Sequence, residues 1–228
     1  MSRVRPIIAI DGPGGAGKST VARRLAKELG FTYLNTGAMY RALALAVSEA
    51  GIKPADPKLE ERIAPILKSL KIEFSGDRVM LNGRDVSRAI TRPDISELAS
   101  TYSTLAPVRA RMRELQRAIG EQGGVVMEGR DIGTAVFPDA EFKFFLDADP
   151  AVRAERRYEE LSAKGATTNR DEVLRELMER DHRDSARELA PLWRADDATV
   201  IDTSKRSIDQ VVSALRERIQ GVYIPKRA

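Results

Sequence analysis

The sequence predicts an α/β fold, a five-stranded parallel sheet flanked by helices, and three observations carry that prediction. Five short apolar segments, at residues 4–10, 31–34, 125–127, 142–146 and 199–201, have the length and apolar character of core strands. Helical patterns lie between and beyond them, at 19–29, 38–50, 59–70, 108–121, 150–164, 171–187 and 208–220. Strands alternating with helices require crossovers, hence parallel neighbours covered on both faces. Third, a glycine-rich string, Gly12-Pro13-Gly14-Gly15-Ala16-Gly17-Lys18-Ser19, sits between the first strand and the first helix.

That string satisfies G-x-x-x-x-G-K-[ST] in the strand–loop–helix context that gives the pattern meaning. Glycines let the backbone curl so that successive N–H groups face phosphate oxygens, and the helix start adds its partial positive charge. Lys18 is expected to reach the β- and γ-phosphates of a nucleoside triphosphate, with Mg²⁺ on the Ser19 hydroxyl. Gly12 through Ser19, with Thr20, are therefore the expected nucleotide-binding residues. Further along, residues 71–74 and 78–81 flank Ser75-Gly76-Asp77, a hairpin signal, and Asn82-Gly83 offers a second turn before Val86. A small antiparallel unit at about 71–90 is thus inserted into the parallel pattern, as either a decorative excursion or a module that closes over a substrate. Asp149-Pro150 reads as a helix N-cap followed by proline at the first helical position.

The 228 residues are 42% hydrophobic and 32% charged, enough for a substantial core, with no run near the ~20 apolar residues needed to span a bilayer. Cysteine is absent, which excludes disulfides and thiolate metal sites. The N-terminal apolar run stops at Asp11, too short for an export signal, so a cytoplasmic location is expected. The tail, 221–228, is expected to be a frayed end. The net charge of +4 is interleaved along the chain, without the basic block of a nucleic-acid footprint. Of the 38 basic residues 28 are arginine, which suits phosphate binding but equally reflects genomic base composition.

Phosphate binding does not specify a reaction. The N-K-x-D element of GTPases is missing, and Phe144-Phe145-Leu146-Asp147 lacks the paired Glu of many ATPases. A small-molecule kinase needs a second anion site, and three segments offer one. Thr36-Gly37-Ala38-Met39-Tyr40-Arg41 begins a helix at the carboxyl edge of the second strand, where open α/β sheets bind ligands. Glu128-Gly129-Arg130-Asp131 leaves the third strand at the same edge; Arg130 can neutralise a phosphate, Glu128 or Asp131 can place Mg²⁺, or Arg130 and Asp131 can simply pair across a turn. In Arg180-Asp181-His182-Arg183-Asp184-Ser185-Ala186-Arg187, helical spacing puts Arg180, Asp184 and Arg187 on one face, as a nucleotide site or as an exposed ion-pair ladder. Arg153, Arg156 and Arg157 recur on the 150–164 helix, as lid residues or as a solvated face, and His182 reads as solvated.

These strings together resemble the bacterial cytidylate kinases, over residues 8–215. The resemblance rests on Ile10-Asp11-Gly12-Pro13, the Thr36–Arg41 and Glu128–Asp131 strings with Ile132-Gly133-Thr134, Leu81-Asn82-Gly83, Phe137-Pro138-Asp139-Ala140, and Arg180-Asp181 through Ala190-Pro191-Leu192. It implies a single P-loop kinase domain over 1–228, with a monophosphate-binding insert at 71–104 and a helical lid at about 150–168. It implies transfer of the ATP γ-phosphate to CMP or dCMP, with Mg²⁺ and with Lys18, Arg130 and Arg180 as catalytic residues. Ser100, Arg109, Asp131 and Arg187 would contact cytosine; Ser100 and Arg109 enter on the resemblance alone. Arg41, Arg130 and Arg180 would hold the CMP phosphate, Asp184 would face the sugar, and Thr36 stands where serine is common. Glu128 stands where aspartate also occurs. Arg153, Arg156 and Arg157 would bind ATP from the lid, whose closure excludes water. A monomer is expected, with no nucleic-acid or membrane partner. The competing readings are a shikimate or dephospho-coenzyme A type kinase, disfavoured by the insert, and an ATP-dependent nucleic-acid-binding protein, disfavoured by interleaved charge and 5% aromatics.

Overall fold

The apolar runs become strands where the alternation places them. The computed structural model describes residues 5–163 and 165–221, so Val4 of the first expected strand, Lys164 of the lid helix and the tail from residue 222 lie outside the described residues. In chain order the elements are β1 (Ile7–Asp11), α1 (Lys18–Leu29), β2 (Thr32–Asn35), α2 (Thr36–Glu49), α3 (Leu59–Ser69), β3 (Ile72–Ser75), β4 (Arg78–Leu81) and β5 (Arg84–Asp85). Then follow α4 (Pro93–Tyr102), α5 (Ala106–Gly120), β6 (Val125–Gly129), β7 (Phe142–Asp147), α6 (Pro150–Ala163), α7 (Arg170–Ser185), β8 (Thr199–Asp202) and α8 (Ile208–Gln220). A 3-10 turn, Ala89–Thr91, precedes α4, and a π-helical turn, Ile132–Val136, follows β6. The chain forms two compact units, one running to Leu34 and resuming at Gln122, the other Asn35–Glu121.

The first unit holds the expected five-stranded parallel sheet, in the order β2-β6-β1-β7-β8. β1 is central, registered with β6 from Ile7–Val125 to Asp11–Gly129 and with β7 from Ile8–Phe142. Its residues are buried throughout, which is why Ile7-Ile8-Ala9-Ile10 is continuously apolar rather than alternating. Val21, Ala22, Leu25 and Ala26 of α1 share a core with Ile8, Ile10, Phe144 and Leu146 of the sheet and with Val211, Val212, Leu215 and Ile219 of α8. Capping fixes where the helices start. The Asp149 carboxylate accepts the Ala151 amide hydrogen at 2.8 Å, as its sequence predicts; Asn169 caps α7, and Ser207 with Gln210 forms a capping box on α8.

The second unit combines α2–α5 with a three-stranded antiparallel sheet, β3-β4-β5. Ser75 pairs with Arg78 across the predicted hairpin, and Asn82 and Gly83 turn the chain into β5 with φ of 50° and 81°. α4 has no counterpart in the sequence reading. Its stripe of Ile95, Ala99 and Tyr102 is buried, but Ser and Thr interleave it and blur the apolar period. Among the described residues, no helix is long and apolar enough to cross a membrane.

Candidate active site

The loop after β1 takes its shape from positions where only glycine fits. Gly12 has φ 143°, and a Cβ there would overlap the Leu146 carbonyl oxygen of β7. A Cβ on Gly15 (φ 75°) would lie 2.8 Å from the Arg153 carbonyl oxygen and 2.9 Å from the Arg153 Cβ, so α6 packs directly on the loop. Lys18, the first residue of α1, is buried and its Nζ donates to the Pro13 carbonyl at 2.7 Å. Burial, reinforced by the like charges of Arg130 and Arg180, lowers the ammonium pKa to about 7 against the pull of Glu128 and Asp11. Ser19 and Thr20 are exposed on the first turn. The Ser19 hydroxyl is a hard oxygen donor open to solvent, which fits Mg²⁺ held largely by phosphate and water oxygens.

β6 delivers the next group. Glu128 is buried and accepts the Tyr33 hydroxyl hydrogen at 2.7 Å. Arg130 brings a terminal nitrogen to 3.7 Å from where a Gly14 Cβ would stand, beside the loop. Its Nε donates to Asp184 Oδ2 at 2.9 Å, while Arg187 donates to the other oxygen of the same carboxylate. Asp184 is 1% exposed, which sets aside the solvated ladder. Burial pushes its carboxyl up, but the charges of Arg130, Arg187 and Arg180 outweigh that and hold it below the ordinary range. One expectation needs correcting. Arg187 is not on the helix, because α7 ends at Ser185; it reaches Asp184 from the following segment.

Two of the three expected lid arginines, Arg153 and Arg156, reach the loop. Arg153 is buried, so it does not belong to a solvated face; it donates to the carbonyls of Gly14 (3.1 Å) and Ala148 (3.0 Å) and pairs with Asp181 of α7. Arg156 donates to Thr203 Oγ1 (3.1 Å) and to the Thr203 carbonyl (2.7 Å), and the Thr203 hydroxyl donates to the Ala16 carbonyl at 3.1 Å. Arg157 is half-buried and pairs with Glu160 one turn on. Sequence reasoning passed over Asp181 and Thr203, whose roles depend on partners 28 and 187 residues away. It also passed over Asp11, a buried carboxylate accepting the amide hydrogens of Ile132 (2.9 Å) and Gly133 (2.8 Å). The available signal was one acid ending an apolar strand.

The second unit carries Thr36, Arg41, Ser100 and Arg109. Thr36 opens α2, whose N-cap Asn35 accepts the Ala38 amide hydrogen at 2.9 Å. Arg41 folds back so that its guanidinium stands 3.3 Å from a would-be Gly37 Cβ. Arg109 is buried in the first turn of α5, donates to the Ser103 carbonyl at 3.3 Å and lies over the Tyr40 ring, 5.9 Å from its centre. Ser103 in turn donates to the Ser100 carbonyl at 2.7 Å, and the buried Ser100 hydroxyl has no hydrogen-bond partner among the described residues. Arg109 and Ser100 thus meet through Ser103 within one buried polar cluster.

Comparison with known proteins identifies the family. The profile of the family described as cytidylate kinase matches residues 8–221. A cytidylate kinase of Citrifermentans bemidjiense is 46% identical over 96% of both chains. One of Pelotomaculum thermopropionicum is 49% identical over 95% of this chain and 96% of its own. An uncharacterized protein from Eubacterium ventriosum shares the fold, with a TM-score of 0.52 at 15% identity over 95% of this chain and 99% of its own. A loop that only glycines can form, a buried lysine within it and an arginine–carboxylate cluster beside it agree with the profile match along nearly the whole chain: it belongs to the cytidylate kinase family.

Proposed function

We propose that Lys18, Arg130 and Arg180 carry the transfer of the ATP γ-phosphoryl group to CMP or dCMP, giving CDP or dCDP and ADP. The chain is a nucleoside-monophosphate kinase. One observation supports this assignment most: Arg130, Arg180 and Arg187 converge on the single buried carboxylate of Asp184, with Arg130 beside the Gly12–Ser19 loop. Guanidinium groups gathered beside the donor loop suit the repulsion between two phosphorylated substrates. An acceptor phosphate oxygen attacks the γ-phosphorus, the bond from that phosphorus to the β–γ bridging oxygen breaks, and ADP leaves with the electron pair. The nucleophile is already anionic, so positioning and charge neutralisation supply the catalysis. The Ser19 hydroxyl would hold Mg²⁺, which would supply positive charge to the phosphates of the donor.

Cytosine is assigned to Ser100, Arg109, Asp131 and Arg187, the CMP phosphate also to Arg41, and the sugar to Asp184, with Thr36 alongside. Arg153, Arg156 and Arg157 are assigned to ATP. The buried Arg109–Ser103–Ser100 cluster supports base selection, since a polar pocket left unsatisfied rejects the wrong base. The enzyme is proposed to act as a cytoplasmic monomer without nucleic acid, and sedimentation as a dimer would overturn that oligomeric state. A coupled assay across CMP, dCMP, UMP, AMP and shikimate should show turnover with the cytidine nucleotides. Replacing Arg130 or Arg180 by Ala should cut turnover about 100-fold or more while ATP affinity persists. Near-native turnover would sink the catalytic assignment. Arg109→Met should raise the KM for CMP and erode preference over UMP; unchanged discrimination would refute its role.

A further inference from the structure

We propose that Asp11 is a positioning residue for phosphoryl transfer: its carboxylate fixes the turn that carries Arg130 and Asp131 against the strand that launches the donor loop. The inference rests on the assignment of Arg130 made above. Asp11 is the last residue of β1, immediately before Gly12, and it lies opposite Gly129 in the register with β6. Each carboxylate oxygen takes one amide hydrogen from the π-helical turn that follows, Oδ1 from Ile132 at 2.9 Å and Oδ2 from Gly133 at 2.8 Å. Amides at the start of a helical turn have no partner within it, and here a different strand supplies the cap.

The same turn holds Asp131 rigidly. The Asp131 carbonyl accepts the amide hydrogens of Ala135 (2.9 Å) and Val136 (3.1 Å), so displacing the turn displaces Asp131 and the adjoining Arg130. A methyl group on Gly133 would stand 3.4 Å from Asp11 Oδ2 and 3.2 Å from Lys143 Cδ, which shows how closely the turn is seated. Packing alone gives no reason for this acid. The other residues of β1 are apolar and fully buried, and a carboxylate 4% exposed at the end of such a strand is costly to hold. Burial and the charge of Asp131 push its pKa up to about 7 in spite of the two amide bonds and Lys18. An acidic side chain kept at that cost, between Gly12 of the donor loop and Arg130 of the acceptor cluster, sets the spacing of two groups that must align for in-line transfer.

The test is a double-mutant cycle between Asp11→Asn and Arg130→Ala, read by turnover with saturating CMP and by ATP binding without CMP. Asparagine keeps the shape but turns an N–H against one of the two amides. We expect Asp11→Asn to lower kcat about tenfold to 100-fold, as ångström-scale misplacement does, with the ATP Kd within about twofold. In the Arg130→Ala background the same change should cost less than about twofold. An equal factor in both backgrounds, or a loss confined to ATP binding, would overturn the proposal. So would near-native turnover of Asp11→Asn beside a crippled Arg130→Ala enzyme, which leaves the assignment of Arg130 standing. Near-native turnover of Arg130→Ala overturns both. If Asp11→Asn does not fold, NMR of the native enzyme decides: the Ile132 and Gly133 amides and Arg130 Nε should shift together as Asp11 titrates near pH 7. The charged groups facing Asp11 are Lys18, Asp131 and, past Gly133, Lys143, so lysine Nζ signals are followed in parallel. An Arg130 signal that stays still while the two amides move would refute the coupling.

Discussion

Replacing Asp184 by Asn tests the arginine cluster most directly. The carboxylate is 1% exposed and takes hydrogen bonds from Arg130 and Arg187, whose side chains are 18% and 8% exposed. Asparagine preserves the shape, yet it can accept from only one guanidinium and points an N–H at the other. Both guanidinium groups then lose this carboxylate as an ionic partner. Breaking a buried ion pair costs about 3–5 kcal/mol; the partial exposure of Arg130 places the loss near the lower figure, about 3 kcal/mol. For a chain of this size that is a fall in Tm of roughly 6–12 °C at pH 7. The pH dependence has a definite sign. Because the native carboxyl is held below its ordinary pKa, its contribution is complete above the unfolded value and fades as pH falls through the lower native value. The gap between native and Asp184→Asn proteins should therefore be constant from about pH 8 to 5 and close only in more acidic solution. Circular-dichroism melts across that range measure it. A Tm within about 2 °C of native at pH 7, or a gap already closing near pH 6, would show that Asp184 does not neutralise this cluster.

Two further outcomes follow from the loop. Lys18→Met should abolish measurable turnover without lowering Tm at pH 7, because burial and the neighbouring arginines already lower the ammonium pKa to about 7. The native lysine costs stability below that pKa, and the cost disappears as pH rises toward the unfolded value, so the melting advantage of Met should be largest in acid and vanish in alkali; a clear drop in Tm at pH 6 would contradict this. Thr203→Val removes the hydroxyl that links Ala16 to Arg156. With one net hydrogen bond worth about 1 kcal/mol, the KM for ATP should rise about fivefold with kcat for CMP nearly unchanged; steady-state kinetics in which only the CMP KM moved would refute that placement.

Much of the fold is legible in the chain because each signal is local. Five apolar runs became the five strands, and α6 begins at the cap that Asp149-Pro150 announces. α4 escaped notice because serines and threonines interrupt its apolar stripe. Arg187 was assigned to a helix that stops two residues earlier, since helical spacing continues in a sequence after the backbone has turned away.

By itself the sequence determined the alternation of strand and helix, the glycine-rich phosphate loop and the family, because these depend on residue type at short spacing. Only the tertiary structure decided which charges neutralise which. Asp184 serves Arg130 as well as Arg187, Arg153 joins the loop to Asp181, and Asp11 caps a turn that begins 121 residues away. Such partnerships rest on burial and on strand order, which brings β6 and β7 to either side of β1. Chain spacing does not encode that order; packing of the apolar faces produces it, and the charges then meet in a low-dielectric interior where each must find its counter-ion.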